Sequence, residues 1–118
     1  MKVVSEYDDD PAITRDQLPP DAIVLDVRED DEWAAGHIEG AVHVPIGSLA
    51  TRMILDPGEL LTDGTLVLVC KGGGRATRAA AWLNANGFDA VRLDGGTAGW
   101  HESGRPMTSD TDEPPVVI

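Results

Sequence analysis

The chain has 118 residues, 42% of them hydrophobic and 25% charged, a composition that is typical of one globular domain with its own core. Its net charge of −12 argues against a nucleic-acid-binding protein or a protein of anionic membranes, because both functions require an excess of lysine and arginine. A single cysteine, an acidic N-terminus and the lack of a long apolar window predict a cytoplasmic protein with no internal disulfide.

The N-terminal half predicts short elements around one buried strand. In chain order these are an edge strand at Val3-Val4, a helical turn from Thr14 to Leu18, a strand over 22–27, a helix over 30–35, a strand over 41–44 and a helix over 48–55. Residues 22–27 form a nearly continuous apolar run, which is typical of a strand covered on both faces. Gly36 is the expected end of the helix that precedes it.

The C-terminal half alternates strands with helices more clearly. We expect a strand over 65–69, a helix that ends at Gly87, a strand over 90–93 and a short helix from Gly95-Gly96 to near Gly104. This alternation predicts a single α/β domain with a central, mostly parallel sheet and helices on both faces. The domain is expected to span residues 1–107, and residues 108–118 are expected to be a C-terminal tail.

The segment around Cys70 carries the clearest chemical signal. An apolar strand ends at this residue and is followed by Lys71, by Gly72-Gly73-Gly74, by Arg75 and then by a helix. Open α/β sheets bind ligands at the carboxyl ends of their strands, and a helix N-terminus presents free backbone N–H groups. The glycines are expected to let the backbone curl around an anion, while the two cations favour a thiolate. We therefore predict that Cys70 is a nucleophile.

Two other interpretations of this loop are less favoured by its sequence. A lone cysteine often acts only as a small buried hydrophobe, but its place at a strand end before a glycine run favours chemistry. A nucleotide-binding phosphate loop is disfavoured, because the spacing G-x-x-x-x-G-K-[ST] is absent and the loop lysine precedes the glycines.

Several separated blocks together resemble the rhodanese-like family of sulfurtransferases, over about residues 13–107. The blocks are Leu25-Asp26-Val27-Arg28 with Glu32-Trp33, Gly36 to Ala41 with Val44-Pro45, Cys70 to Arg75, Gly87-Phe88, Leu93 to Gly96 with Trp100, and Gly104-Arg105-Pro106. The resemblance implies a ping-pong reaction in which Cys70 takes sulfur from a small donor such as thiosulfate, becomes a persulfide and passes the sulfur to a thiol or to cyanide.

The resemblance further implies that residues 71–75 bind the substrate and that no metal or organic cofactor is required. A thioredoxin-like or sulfur-carrier protein is an implied acceptor. This chain has Ala76 where relatives often have serine, so a hydroxyl contact is either missing or supplied by Thr77. A cation at position 71 suits thiosulfate, which is a dianion.

Two alternative functions remain open from the sequence. The first is a sulfur-relay or redox-signalling protein that receives persulfide from another protein. The second is a phosphatase or arsenate reductase of related fold, but those loops place five residues between cysteine and arginine, whereas four separate Cys70 from Arg75.

Other polar residues are interpreted as structural. Asp26 and Arg28 are one strand period apart and predict a structural ion pair or a capping contact near the loop. His37 is expected to make loop hydrogen bonds, and no residues complete a metal site with it or with His43. The three tryptophans are too scattered to form a stacking platform and are expected to pack in or near the core.

Overall fold

The computed structural model describes residues 11–118, and the edge strand expected at Val3-Val4 lies outside them. Seven short strands are present there: β1 (Ala12–Ile13), β2 (Ile23–Asp26), β3 (His37–Ile38), β4 (Val42–His43), β5 (Leu66–Val69), β6 (Ala90–Leu93) and β7 (Met107–Thr108). Four α-helices alternate with them: α1 (Asp30–Ala35), α2 (Leu49–Leu55), α3 (Gly74–Ala85) and α4 (Gly96–Glu102). Single 3-10 turns occupy Arg15–Gln17, Ile46–Ser48 and Gly58–Leu60.

Five strands form one sheet in the order β1-β6-β5-β2-β4, and every neighbouring pair is parallel. The predicted α/β fold with a mostly parallel sheet is therefore confirmed. The central strand β5 is fully buried along its length, as its unbroken apolar sequence predicts. In this arrangement the carboxyl ends of all five strands meet at one edge, where Cys70 follows β5.

Each face of the sheet is covered by helices, which creates two apolar layers. One layer packs α2 and α3 against residues such as Leu25 and Leu68, and the other packs Trp100 of α4 against Val67 and Val69. Helix α3 contributes its predicted apolar stripe, since Ala76, Ala79, Ala80 and Leu83 are all buried. Among the described residues, none of the helices is long and apolar enough to cross a membrane.

The strands β3 and β7 form a separate antiparallel pair that the sequence analysis missed. Each has only two residues, which is too short for a period-2 pattern. Their pairing brings the C-terminal segment back to α1, where Asp110 N–H donates to the Ala34 carbonyl and Val116 N–H donates to the Ala35 carbonyl. These bonds satisfy carbonyls that a helix end leaves unpaired. The division of the chain at residue 107 remains a prediction, but part of the proposed tail packs on the domain.

Helix α1 ends at Gly36, as predicted, but for a different reason. Gly36 has an extended φ of 173°, so the helix is not closed by a left-handed residue. Instead, a Cβ at this position would overlap the backbone of Val116. Glycine is needed here because the C-terminal segment crosses close to the backbone.

Candidate active site

Cys70 lies at the base of a loop between β5 and α3. Its side chain is 2% exposed, and Sγ accepts a hydrogen bond of 3.4 Å from the backbone N–H of Ala76. Ala76 is in the first turn of α3, where backbone N–H groups have no partner within the helix. The sulfur therefore faces the positive end of the helix dipole. In the part of the chain described here, no hydrogen bond joins the Thr77 hydroxyl to this sulfur, and the Ala76 N–H makes the contact instead.

The three loop glycines lie outside the left-handed region of backbone conformation. None of Gly72, Gly73 and Gly74 has a φ in that region. A Cβ at Gly72 would meet no other atom within 4 Å, and one at Gly74 would meet only the end of the Arg78 side chain, at 3.9 Å. A Cβ at Gly73 would meet the Arg92 side chain at 3.5 Å, so the loop is sterically open at Gly72 and lies close to basic side chains at its other two glycines. Their role as substrate ligands, through backbone N–H groups, remains a prediction.

Arg75 is bound to a carboxylate from a distant part of the chain. Its Nη1 and Nη2 lie 2.6 and 2.9 Å from the two carboxylate oxygens of Glu32. The hydrogen bond from Arg75 lowers the pKa of Glu32 from 4.5 to about 2, although partial burial acts in the opposite direction. The same hydrogen bond raises the pKa of Arg75, and the proximity of Cys70 adds to the effect. Arg75 therefore anchors the loop to α1. Its predicted contact with substrate remains a prediction.

Helix α1, which supplies Glu32, is itself fixed by a buried ion pair. Arg28 donates from Nε and Nη2 to the Asp26 carboxylate, at 2.8–3.1 Å, and both residues are fully buried. Arg28 Nη2 also donates to the Gly36 carbonyl at 2.8 Å. The ion pair predicted from the sequence is confirmed. It ties the end of β2 to the end of α1 and so sets the position of Glu32.

An aromatic stack completes the support of α1. The Trp33 ring is stacked with the His37 ring, with centroids 3.5 Å apart, and with the His43 ring, at 4.7 Å. His37 Nδ1 donates to the Trp33 carbonyl at 2.7 Å, which confirms its expected loop hydrogen bond.

Within residues 11–118, no group of three or more His, Cys, Asp or Glu side chains is placed to hold a metal.

The start of α4 holds the other side of the loop. Thr97 N–H donates to the Cys70 carbonyl at 2.9 Å, and Ala98 N–H donates to the Lys71 carbonyl at 3.2 Å. Gly96 permits this approach, because its φ is +58° and a Cβ there would overlap both carbonyl oxygens. The sequence analysis placed Gly95-Gly96 at a helix start but did not predict its contact with the cysteine loop.

Basic side chains surround the loop of this acidic chain. Lys71 is exposed, and Arg78 reaches back toward Gly74 from one helical turn away. Arg92 of β6 lies beside Gly73 while it pairs with Asp94 at 3.3 Å. The sequence analysis missed Arg92, because its proximity depends on the packing of β6 beside β5. The cations concentrate positive potential where an anionic substrate would approach the sulfur.

Comparison with known proteins agrees with this geometry. The rhodanese-like domain family matches residues 10–103. The chain belongs to the rhodanese-like family. It is 34% identical over 83 residues to YtwF of Bacillus subtilis, which is provisionally designated a sulfurtransferase, and the match covers 70% of this chain and 77% of YtwF. It is also 32% identical over 80 residues to the tRNA uridine(34) hydroxylase of Escherichia coli, but there it spans only 23% of the relative's length.

Solved rhodanese-like structures share the fold. A rhodanese-related protein from Thermoplasma volcanium superposes with a TM-score of 0.72 at 28% identity, covering 83% of this chain and 97% of that protein. A thiosulfate sulfurtransferase from Pseudomonas aeruginosa gives a TM-score of 0.74, covering 95% of this chain and 22% of its own. At 22% identity, the second likeness bears on the fold alone. Family and relatives together support sulfurtransferase-type activity.

Proposed function

We propose that this protein transfers a sulfane sulfur from a small anionic donor, with thiosulfate as the representative compound, to a thiol or cyanide acceptor. The observation that carries the proposal is the position of Cys70 Sγ, buried at the start of α3 with a backbone N–H directed at it. Helix N-termini and nearby cations stabilise a thiolate and an anion bound next to it. The proposal also agrees with the sulfurtransferase designation of YtwF.

The first half-reaction forms a persulfide. The Cys70 thiolate attacks the outer sulfur of thiosulfate, a new S–S bond forms, and the S–S bond within thiosulfate breaks. Sulfite leaves with the electron pair of that bond, so no proton donor is required. The negative charge then resides on the outer sulfur of Cys70, close to the helix N-terminus that stabilises it. In the second half-reaction, an acceptor thiolate or cyanide attacks this outer sulfur and Cys70 departs as a thiolate.

Burial of Cys70 favours a small donor over a large one. Only 2% of the residue is exposed. A compact dianion such as thiosulfate is small enough to approach a sulfur buried to this degree, and the exposed Lys71, next to Cys70 in the chain, supplies charge complementarity. A bulky protein donor would have to displace the loop, which the hydrogen bonds to α4 and the ion pair to Glu32 oppose.

Intact-mass spectrometry tests the proposal directly. Incubation with thiosulfate should add the mass of one sulfur atom to the protein, and cyanide or dithiothreitol should remove it. Sulfite should appear in equal amount. Turnover without any such adduct would contradict a persulfide mechanism. If thiosulfate gave no adduct but a protein persulfide did, the protein would be a sulfur-relay partner, and the small-donor proposal would be wrong.

A further inference from the structure

A cavity lies at the same edge of the sheet as Cys70. It has a volume of about 360 Å³, and its lining consists of Thr14, Arg15, Asp16, Asp94, Ser103 and Arg105. Arg15 follows β1, and Asp94 follows β6, which lies between β1 and β5 in the sheet. Because neighbouring strands are about 4.8 Å apart, the ends of β1 and β5 are separated by ~10 Å. The cavity therefore lies within reach of a small molecule that reacts at Cys70.

One of the two arginines in this cavity is already bound to a carboxylate. Arg105 Nη2 contacts the Asp16 carboxylate at 2.6 Å, and the guanidinium lies 5.4 Å from the centre of the Trp100 ring. The other acidic group, Asp94, pairs with Arg92. Among the described residues, the Arg15 guanidinium makes no hydrogen bond or ion pair. The cavity thus has one cation whose charge is not matched by a bonded carboxylate.

The position of Arg15 depends on two glycines near the start of α4. A Cβ on Gly99 would lie 2.8 Å from Arg15 Nη1, and a Cβ on Gly95 would lie 3.0 Å from it. The guanidinium therefore rests against a surface without side chains, and Arg15 as a whole residue is half-buried. A guanidinium removed from part of its water, with planar donors unused, is suited to binding a carboxylate.

We propose that Arg15 binds the carboxylate of a small thiol that accepts sulfur from Cys70, an inference that rests on the proposed function. The distance of ~10 Å between the strand ends equals about three extended residues, so a thiol joined to a carboxylate by a short flexible chain can span it. Its thiolate attacks the outer sulfur of the Cys70 persulfide, the Cys70 S–S bond breaks, and Cys70 leaves as a thiolate. The product is the persulfide of the acceptor.

A matched pair of acceptors tests this inference. N-acetyl-Cys-Gly-Gly with a free C-terminal carboxylate is compared with the same peptide as its C-terminal amide, using protein loaded with sulfur from thiosulfate. A partly exposed charge pair is worth roughly 1 kcal/mol, so the wild type should have about a five-fold lower KM for the acid than for the amide. Arg15→Gln should remove this preference by raising the KM for the acid, with the amide unaffected.

Two further variants separate binding by Arg15 from general damage. Gly99→Ala keeps the charge but displaces the guanidinium, so it should also remove the preference for the acid. Arg52→Gln is the control, because Arg52 lies on α2 and donates to the Asp56 carbonyl, away from this cavity. It should leave the preference intact.

The outcomes distinguish this inference from the proposed function. If persulfide never forms, the proposed function fails. If persulfide forms but the wild type uses acid and amide equally, only the inference about Arg15 is overturned. Equal weakening of both acceptors by Arg15→Gln would also overturn it, since that result indicates a structural role for Arg15.

Discussion

Two glycine-rich turns lie side by side at the carboxyl edge of the sheet, and each joins a parallel strand to a helix. The first connects β5 to α3 and contains Cys70, and the second connects β6 to α4 and contains Gly96. Their sequences are alike, but their helix N-termini have different partners. The start of α3 donates to a sulfur atom, whereas the start of α4 donates to the carbonyls of Cys70 and Lys71.

The difference shows that a glycine-rich strand-to-helix turn is not by itself a binding site. In the first turn, Gly72 is sterically unconstrained, since a Cβ there would meet no other atom within 4 Å. In the second turn, Gly96 is required by both its positive φ and its close contact with the first turn. One turn performs the chemistry in our proposal, and the other holds it in place. Substitutions in each should therefore have effects of different kind and size.

The largest effect is expected from Cys70→Ser. The variant should lose transfer of sulfur from thiosulfate to cyanide, because serine oxygen cannot form a persulfide and no other cysteine is present. Its circular dichroism and thermal unfolding should match those of the wild type, since the replaced atom is similar in size. Retention of even a tenth of wild-type thiocyanate production would contradict the assignment of Cys70 as the nucleophile.

Gly96→Ala should destabilise the protein more than Gly72→Ala, although Gly72 is in the loop that contains Cys70. A Cβ at Gly96 would overlap two carbonyl oxygens in a backbone conformation that alanine disfavours, so we expect a loss of about 2–4 kcal/mol in the free energy of unfolding. Gly72→Ala should cost less than about 1 kcal/mol, because its Cβ meets nothing. Urea denaturation of both variants measures the difference.

Turnover per folded molecule sharpens the same comparison. Gly96→Ala should lower kcat by moving the loop that carries Cys70, whereas Gly72→Ala should retain most of it. The reverse order would show that the conformation of the first turn, and not its support by α4, determines activity.

This pair of turns also shows what the sequence can predict. Strand β5, helix α3 and the position of Cys70 between them follow from local patterns, namely an unbroken apolar run and an apolar stripe of period 3.6. The contact of Gly96 with Cys70 and Lys71 joins residues that are distant in sequence. Glycine also has no side chain whose chemistry could indicate a contact partner, so this contact could not be predicted. The ion pair between Glu32 and Arg75 could not be predicted from local patterns either, because the two residues are 43 positions apart in the chain.

The two-residue strands and the packing of the C-terminal segment also could not be predicted from local sequence patterns. Strands of two residues, such as β1 and β3, exist because a neighbouring strand offers hydrogen bonds, and two residues carry no periodicity. Residues after Thr108 are polar and rich in proline, which predicts a tail, but their backbone N–H groups bond to the end of α1. The position of Arg15 against Gly95 and Gly99, with no hydrogen-bonded partner within residues 11–118, likewise depends on three-dimensional packing.

Glu32→Gln should have the next largest effect, because it removes the charge that anchors Arg75. The pKa of Glu32 is lowered to about 2 in the folded protein, from 4.5, so its carboxylate contributes stability above about pH 4.5 and loses it as the pH falls toward 2. For this partly buried pair we expect a loss of about 2 kcal/mol at pH 7. The difference from wild type should be constant above about pH 5.5 and shrink in more acidic solution.

Chemical denaturation at several pH values tests the prediction for Glu32. The control is Glu59→Gln, an exposed glutamate on the 3-10 turn at Gly58–Leu60, which should have little effect at any pH. A pH-independent difference between wild type and Glu32→Gln would show that packing, not the charge of Glu32, holds the loop.

The smallest effect is expected from Lys71→Ala, which removes an exposed charge from the first turn and leaves the contacts of that turn with α1 and α4 in place. Lys71 is exposed, and a charge contact of this type is worth roughly 1 kcal/mol, so KM for thiosulfate should rise several-fold while kcat changes little. A neutral sulfur donor should show no such change, and added salt should reduce the effect because the charges are screened by solvent ions. Steady-state kinetics with both donors at low and high ionic strength measures these changes in KM and kcat. Equal effects on charged and neutral donors would remove the electrostatic argument for an anionic substrate, while the assignment of Cys70 would stand on its own test.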